Sequence, residues 1–157
     1  MADTQPALRE QAVIPVIVLL VTTAAARVAG LAGVDALDSW QTALRVGLAV
    51  MLVLTASAHW GKRRPDLVAM VPDRLPRPDL LVTATGVLEL VGAAGLLYPP
   101  TTPYAAAGLV VLFLALFPAN ISAARRRLTI DGRPVTPLPA RAAMQVLFIA
   151  AAIAVAA

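Results

Sequence analysis

Charge is nearly absent from five stretches of the chain, about residues 12–33, 40–60, 79–98, 104–123 and 138–157. Each approaches the roughly 20 residues a helix needs to cross about 30 Å of hydrocarbon. The breaks between them are charged or proline-rich: VDALDS, GKRRPDLVAMVPDRLPRP, PPTTP and RRRLTIDGRPVTP. The pattern predicts an all-α integral membrane bundle, a single domain over 1–157 with five transmembrane helices. Within the second break, Pro65 is placed to open a helix and Pro72 to stop it, with Leu67, Val68, Met70 and Val71 as an apolar stripe between them. A short helix is expected there, lying in the headgroup region or re-entering the bundle as a lid.

Composition supports a lipid environment. Of the 157 residues, 59% are hydrophobic and 14% charged, against about 25% charged in an ordinary soluble domain. The first apolar run ends in small residues like a signal peptide. Its leader, however, sets Asp3 and Glu10 against Arg9, so the positive n-region is missing and a retained helix is expected. The cations sort the loops. Lys62, Arg63, Arg64, Arg74 and Arg77 fall in the second break, Arg125, Arg126, Arg127 and Arg133 in the fourth, and the first and third breaks have none. The positive-inside rule then places the N-terminus in the cytoplasm and the C-terminus outside, in the cytoplasmic (inner) membrane of a bacterium. Trp40 and Trp60 bracket the second run, and Tyr98 and Tyr104 flank the outer loop, as interfacial aromatics do. Read this way, the basic runs and a pI of about 10.7 answer to topology and anionic headgroups rather than to nucleic acid.

Several chemistries are excluded. With no cysteine and one histidine there is no thiol relay, no Cys metal site and no multi-His metal or haem site. No P-loop, GxGxxG or HExxH motif occurs, so no intrinsic cofactor is expected.

What stands out instead is polarity at depth. Glu89 lies about ten residues into the third run, near the bilayer centre, with small or weakly polar Thr85, Gly86, Gly92 and Ala93 on its face. A lipid-facing carboxylate there costs about 2.5–3.5 kcal/mol or more, so an inward placement is expected, with Glu89 either neutral and hydrogen-bonded or ionised against Arg141. His59 ends the second run. Asn120 follows Pro118, a helix-loosening residue, near the end of the fourth. Arg141 and Gln145 are four apart and share a face of the fifth. Together these five form a ladder from the inner surface to mid-membrane. Its plain alternative is a structural network holding the helices in register. Arg27 and Arg45 are expected to snorkel or to pair with Asp35 and Asp38.

The segments SAHWGKRRPDLVAMVP, TGVLELVGAAGLLYP, FPANI and RAAMQ, in this order, resemble the DoxX-like small membrane proteins. The resemblance spans about residues 45–155 and implies a four-helix core to which the first helix is an addition. His59, Glu89, Asn120, Arg141 and Gln145 match its polar positions. It implies a link to quinone-connected oxidation and to resistance to quinones and oxidants.

Three functions follow as expectations. The first is a cavity open to the cytoplasmic side that binds a quinone-like or other lipophilic molecule. Glu89, Arg141 and Gln145 hydrogen-bond its oxygens, His59 and Asn120 line the entrance, and a cytoplasmic redox enzyme supplies any electrons. The second is a cofactor-free enzyme (an isomerase, cyclase or epoxide-opening type) with Glu89 as proton donor and His59 as base. Their depths differ by about 10 Å by helix rise, which argues against direct partnership unless the lid bends the third helix. The third is a non-catalytic scaffold that recruits a cytoplasmic protein through its basic loops.

Overall fold

The computed structural model describes residues 5–130 and 132–157, with side chains from Val13 onward apart from that of Arg133; the charged side chains of the leader, Asp3, Arg9 and Glu10, lie outside these. The chain is built of helices: α1 Gln5–Leu31, α2 Trp40–Ser57, α3 Arg64–Met70, α4 Pro78–Leu97, α5 Thr102–Arg125 and α6 Leu138–Ala154. Short 3₁₀ turns at Asp35–Leu37 and Pro99–Thr101 lead into α2 and α5. Four helices, α1, α2, α4 and α5, contain stretches long and apolar enough to cross a membrane. The fifth apolar run gives the shorter α6, of 17 residues.

Local signals explain the boundaries. Ser39 is extended and its Oγ accepts the Thr42 N–H at 3.0 Å, capping α2. Prolines occupy the first turn of α3, α4, α5 and α6, where their missing N–H has no partner to lose. The expected short helix after α2 is present as α3, and it stops where Val71 turns extended ahead of Pro72. The fourth break holds an element that the hydropathy pattern did not announce. It is a two-residue antiparallel hairpin, β1 Thr129–Ile130 against β2 Arg133–Pro134, turned at Gly132 with φ +72°.

Packing runs α2–α4–α5–α6 around a ring, with α6 returning to α2, while α1 leans on the outside of α2. Small residues set the close approaches. A Cβ on Gly47 of α2 would strike the Thr23 side chain and the Leu19 carbonyl of α1, and one on Gly92 of α4 would strike Leu109 of α5. The ring closes at one end, where Arg45 of α2 donates to the Val155 carbonyl past the end of α6 at 3.4 Å. Arg45 therefore satisfies a helix C-terminus and does not pair with Asp35 or Asp38. Arg27 does pair as expected, with Asp38 at 2.9 Å, and lies over the Trp40 ring.

The two halves of the bundle differ. Toward the Arg45 end, Leu48, Leu52, Leu96, Leu109, Ala152 and Val155 form a closed apolar core. Toward the other end, where α3 and the hairpin sit, the interior becomes polar. Large apolar side chains such as Leu20, Val21, Val53, Val91, Val111 and Val146 cover the outside, the arrangement expected of helices surrounded by lipid.

Candidate functional site

All five sequence candidates come from the open half of the bundle, and the structure sorts them into two linked groups. The first joins α5 and α6. Arg141 donates to Asn120 Oδ1 from Nε at 3.2 Å and from Nη2 at 2.7 Å. Asn120 Nδ2 donates to Gln145 Oε1 at 3.0 Å, and Gln145 Nε2 donates to the Phe113 carbonyl. Phe113 lies just ahead of Pro118, whose missing N–H loosens this part of α5. The carbonyl that Pro118 itself leaves without a helical donor is that of Leu114, so Gln145 donates to the remaining lone pair of the Phe113 carbonyl. The i, i+4 spacing of Arg141 and Gln145 does what the sequence suggested, presenting both to Asn120.

The second group joins α2 and α4. Glu89, 5% exposed, takes its hydrogen bond from Thr55, whose Oγ1 lies 2.6 Å from Oε2. His59, 7% exposed, places Nε2 at 3.9 Å from Glu89 Oε1. The other ring nitrogen, Nδ1, lies 3.3 Å from the carbonyls of both Thr55 and Ala56. Carbonyls only accept, so Nδ1 carries a hydrogen, and Nε2 is the ring nitrogen turned toward Glu89.

This contact overturns the expected separation in depth. That expectation took α2 to run on to residue 60, with its end level with the start of α4. In the structure α2 stops at Ser57, and the end of α2 is staggered up the side of α4. A Cβ on Gly86 would come within 2.8 Å of His59 Cβ and 2.9 Å of the Trp60 ring. His59 is thus level with a residue about 12 Å beyond the start of α4, from eight residues at 1.5 Å each. The chain between the helices fills the step. Arg64 donates to the His59 carbonyl at 2.7 Å, the Asp79 carbonyl at 3.0 Å and Thr83 Oγ1 at 3.0 Å. It ties the end of α2 to the first turns of α4. The alternative of Glu89 ionised against Arg141 is resolved toward separate partners, Thr55 for one and Asn120 for the other.

Both groups border the same space. An inner cavity of about 240 Å³ is lined by Thr55, Glu89, Asn120, Arg141 and Gln145 on its polar side, and by apolar Met51, Phe113, Phe148 and others opposite. A wider vestibule of about 620 Å³ shares Pro15, Thr55, Glu89, Leu116, Asn120 and Arg141 with it, and adds His59, Lys62, Arg63 and Ile130 at the α3 and hairpin end. The space is therefore apolar at its closed end, polar along one wall and basic at its mouth. Sizes and lining of this kind are typical of small-molecule sites.

A family model described as a domain of unknown function (DUF8561) matches residues 48–156. The chain belongs to that family. The match takes in His59, Thr55, Glu89, Asn120, Arg141 and Gln145, and leaves Pro15 and the rest of α1 outside it. No curated protein and no solved structure matches the chain.

Three contributors were missed at the sequence level. Thr55 is four residues before His59 in the second apolar run, and that i, i+4 spacing was a usable signal. Pro15 and Met70 carried none. Pro15 reads only as a helix irregularity, and Met70, near Arg141 through its sulfur at 3.9 Å, reads only as part of an apolar stripe.

Proposed function

We propose that this DUF8561 protein is a membrane-embedded binding protein for a lipophilic small molecule with ring or chain oxygens, quinone-like in character, serving a redox or detoxification system. In this reading α6 is the fifth span, the basic α3 and hairpin end faces the bacterial cytoplasm, and the N-terminus lies on that side with the C-terminus outside. The resemblance to DoxX-like proteins and the four-helix ring with α1 outside it belong to the same reading. One observation carries it: polar side chains from four elements converge on an apolar-walled cavity inside helices that are themselves apolar outside. A lipophile enters such a cavity with little desolvation, and the amide and guanidinium N–H groups orient its oxygens. Electrons for any redox step come from a partner enzyme at the cytoplasmic face.

A second reading, a cofactor-free acid/base enzyme, is favoured by the 3.9 Å approach of His59 to Glu89. The test of the first reading is titration with 2,3-dimethoxy-5-methyl-6-decyl-1,4-benzoquinone in phosphatidylcholine nanodiscs, followed by quenching of Trp60, whose ring abuts Gly86. Saturable quenching that weakens at least tenfold in Gln145→Leu supports it. Quenching that is linear in quinone and identical in the variant rejects it.

A further inference from the structure

The hydrogen-bond valences of the cavity wall have a direction. Starting from Arg141, donation runs to Asn120, from Asn120 to Gln145, and from Gln145 to the Phe113 carbonyl. Each amide has two N–H groups and one carbonyl oxygen. Both amide oxygens in this chain already accept, while one N–H of Asn120, one of Gln145 and the Nη1 group of Arg141 are not used in it. The α5–α6 wall therefore offers donors and a fixed positive charge. The facing wall is its complement. With Nδ1 donating to backbone carbonyls, neutral His59 has Nε2 as its acceptor, and Glu89 holds a carboxyl beside it.

Resting on the reading of the cavity as a lipophile site, we propose that its ligand is a lipophilic weak acid, an enol, phenol or hydroxyquinone, and that it is held as its oxyanion. The ligand O–H gives its proton to His59 Nε2. The oxygen left behind is taken by Arg141 and the spare amide N–H groups. No bond to carbon is made or broken, and no electron moves. One proton passes from oxygen to nitrogen; the oxyanion meets the Arg141 guanidinium, and the imidazolium lies 3.9 Å from the Glu89 carboxyl, which in this proposal is ionised and accepts from Thr55. Pairing of this kind is what makes charge tolerable away from water. The other charged groups near His59 are Arg64, which binds its backbone carbonyl, and Lys62 and Arg63 on the vestibule wall. All three are cationic and favour an anion at the mouth.

The probe is 2-octyl-4-nitrophenol, whose anion is yellow and whose neutral form is not, with its methyl ether as the non-ionisable counterpart. Tag-free protein in phosphatidylcholine nanodiscs is titrated with each. Because His59 is the only histidine, ¹⁵N-histidine labelling reports its protonation without assignment. Expected is a bound phenol whose neutral-to-anion midpoint lies about one pH unit or more below that in empty nanodiscs, with His59 changing from the Nδ1–H tautomer to imidazolium. Arg141→Met returns the midpoint to the empty-disc value, whereas Arg141→Lys, which keeps the charge, retains most of the shift. If phenol and ether bind equally, the phenol stays neutral and the His59 signals do not move, the oxyanion proposal is overturned while the lipophile site stands. If neither binds, both fall.

Discussion

Asn120 is the hinge of the α5–α6 network, and Asn120→Leu exposes what the network is worth. The substitution keeps the volume of the side chain and removes all its polarity. Arg141 loses two donations to Oδ1, at 2.7 and 3.2 Å, and Gln145 loses the donor to its carbonyl at 3.0 Å. A hydrogen bond to a charged group contributes about 1.5–3 kcal/mol and a neutral one about 1 kcal/mol. The two Arg141 contacts share a single acceptor oxygen, so the second adds less than the first. The guanidinium also borders the cavity, where polar contacts are recovered in part. The net loss is about 2–4 kcal/mol. Asn120→Asp keeps the acceptor for Arg141 but removes the Nδ2 donor and sets a carboxylate oxygen against Gln145 Oε1, so it is expected to recover only part of that loss. The assay is reversible unfolding by SDS in mixed micelles, read by the fluorescence of Trp40 and Trp60, the two tryptophans of the chain. Combined with Arg141→Met, Asn120→Leu is expected to show a coupling of at least about 1 kcal/mol. A variant within about 0.5 kcal/mol of the wild type, with no coupling, refutes a network that bridges α5 and α6.

Other substitutions probe the remaining joints. Gly86→Ala introduces a Cβ at 2.8 Å from His59 and 2.9 Å from the Trp60 ring; it is expected to cost about 1–3 kcal/mol and to move the single ¹⁵N-histidine signal set, which NMR checks directly. Thr55→Val takes away the hydroxyl at 2.6 Å from Glu89, and unfolding is expected to show a loss of about 1–3 kcal/mol that Thr55→Ser restores. Asp38→Asn, at the exposed Arg27 pair, is expected to cost less than about 1 kcal/mol; a larger loss in the same assay contradicts the surface-pair assignment.

Much of this architecture is legible in the sequence for a physical reason. Burying a backbone in hydrocarbon forces it into helices of a set length, so apolar runs mark where helices lie. Glu89, Arg141 and Gln145 were found because a polar side chain in such a run is costly unless it faces inward. Partnerships were less legible. The pairing of His59 with Glu89 depends on the stagger between α2 and α4, which neither helix encodes by itself. That stagger comes from α2 ending at Ser57 and from Arg64 clasping the step, interactions across a break that hydropathy shows only as charged. Thr55 was overlooked because a threonine near a helix end ordinarily bonds its own backbone; its Oγ1 also lies 3.0 Å from the Leu52 carbonyl, which its single O–H can serve only in place of Glu89. The hairpin at 129–134 is too short to leave a periodic signal.

The central claim is that the cavity between α2, α4, α5 and α6 is a binding site. It is tested most directly by mass spectrometry of lipophilic molecules that co-purify with wild-type protein, with Glu89→Gln and with Gln145→Leu, in equal amounts of folded material. Expected is one defined class of oxygen-bearing lipophile, stoichiometric with the wild type and lost or sharply depleted in both variants. The same lipid profile in all three proteins, with the variants unfolding earlier, contradicts it and makes the polar residues ties between helices.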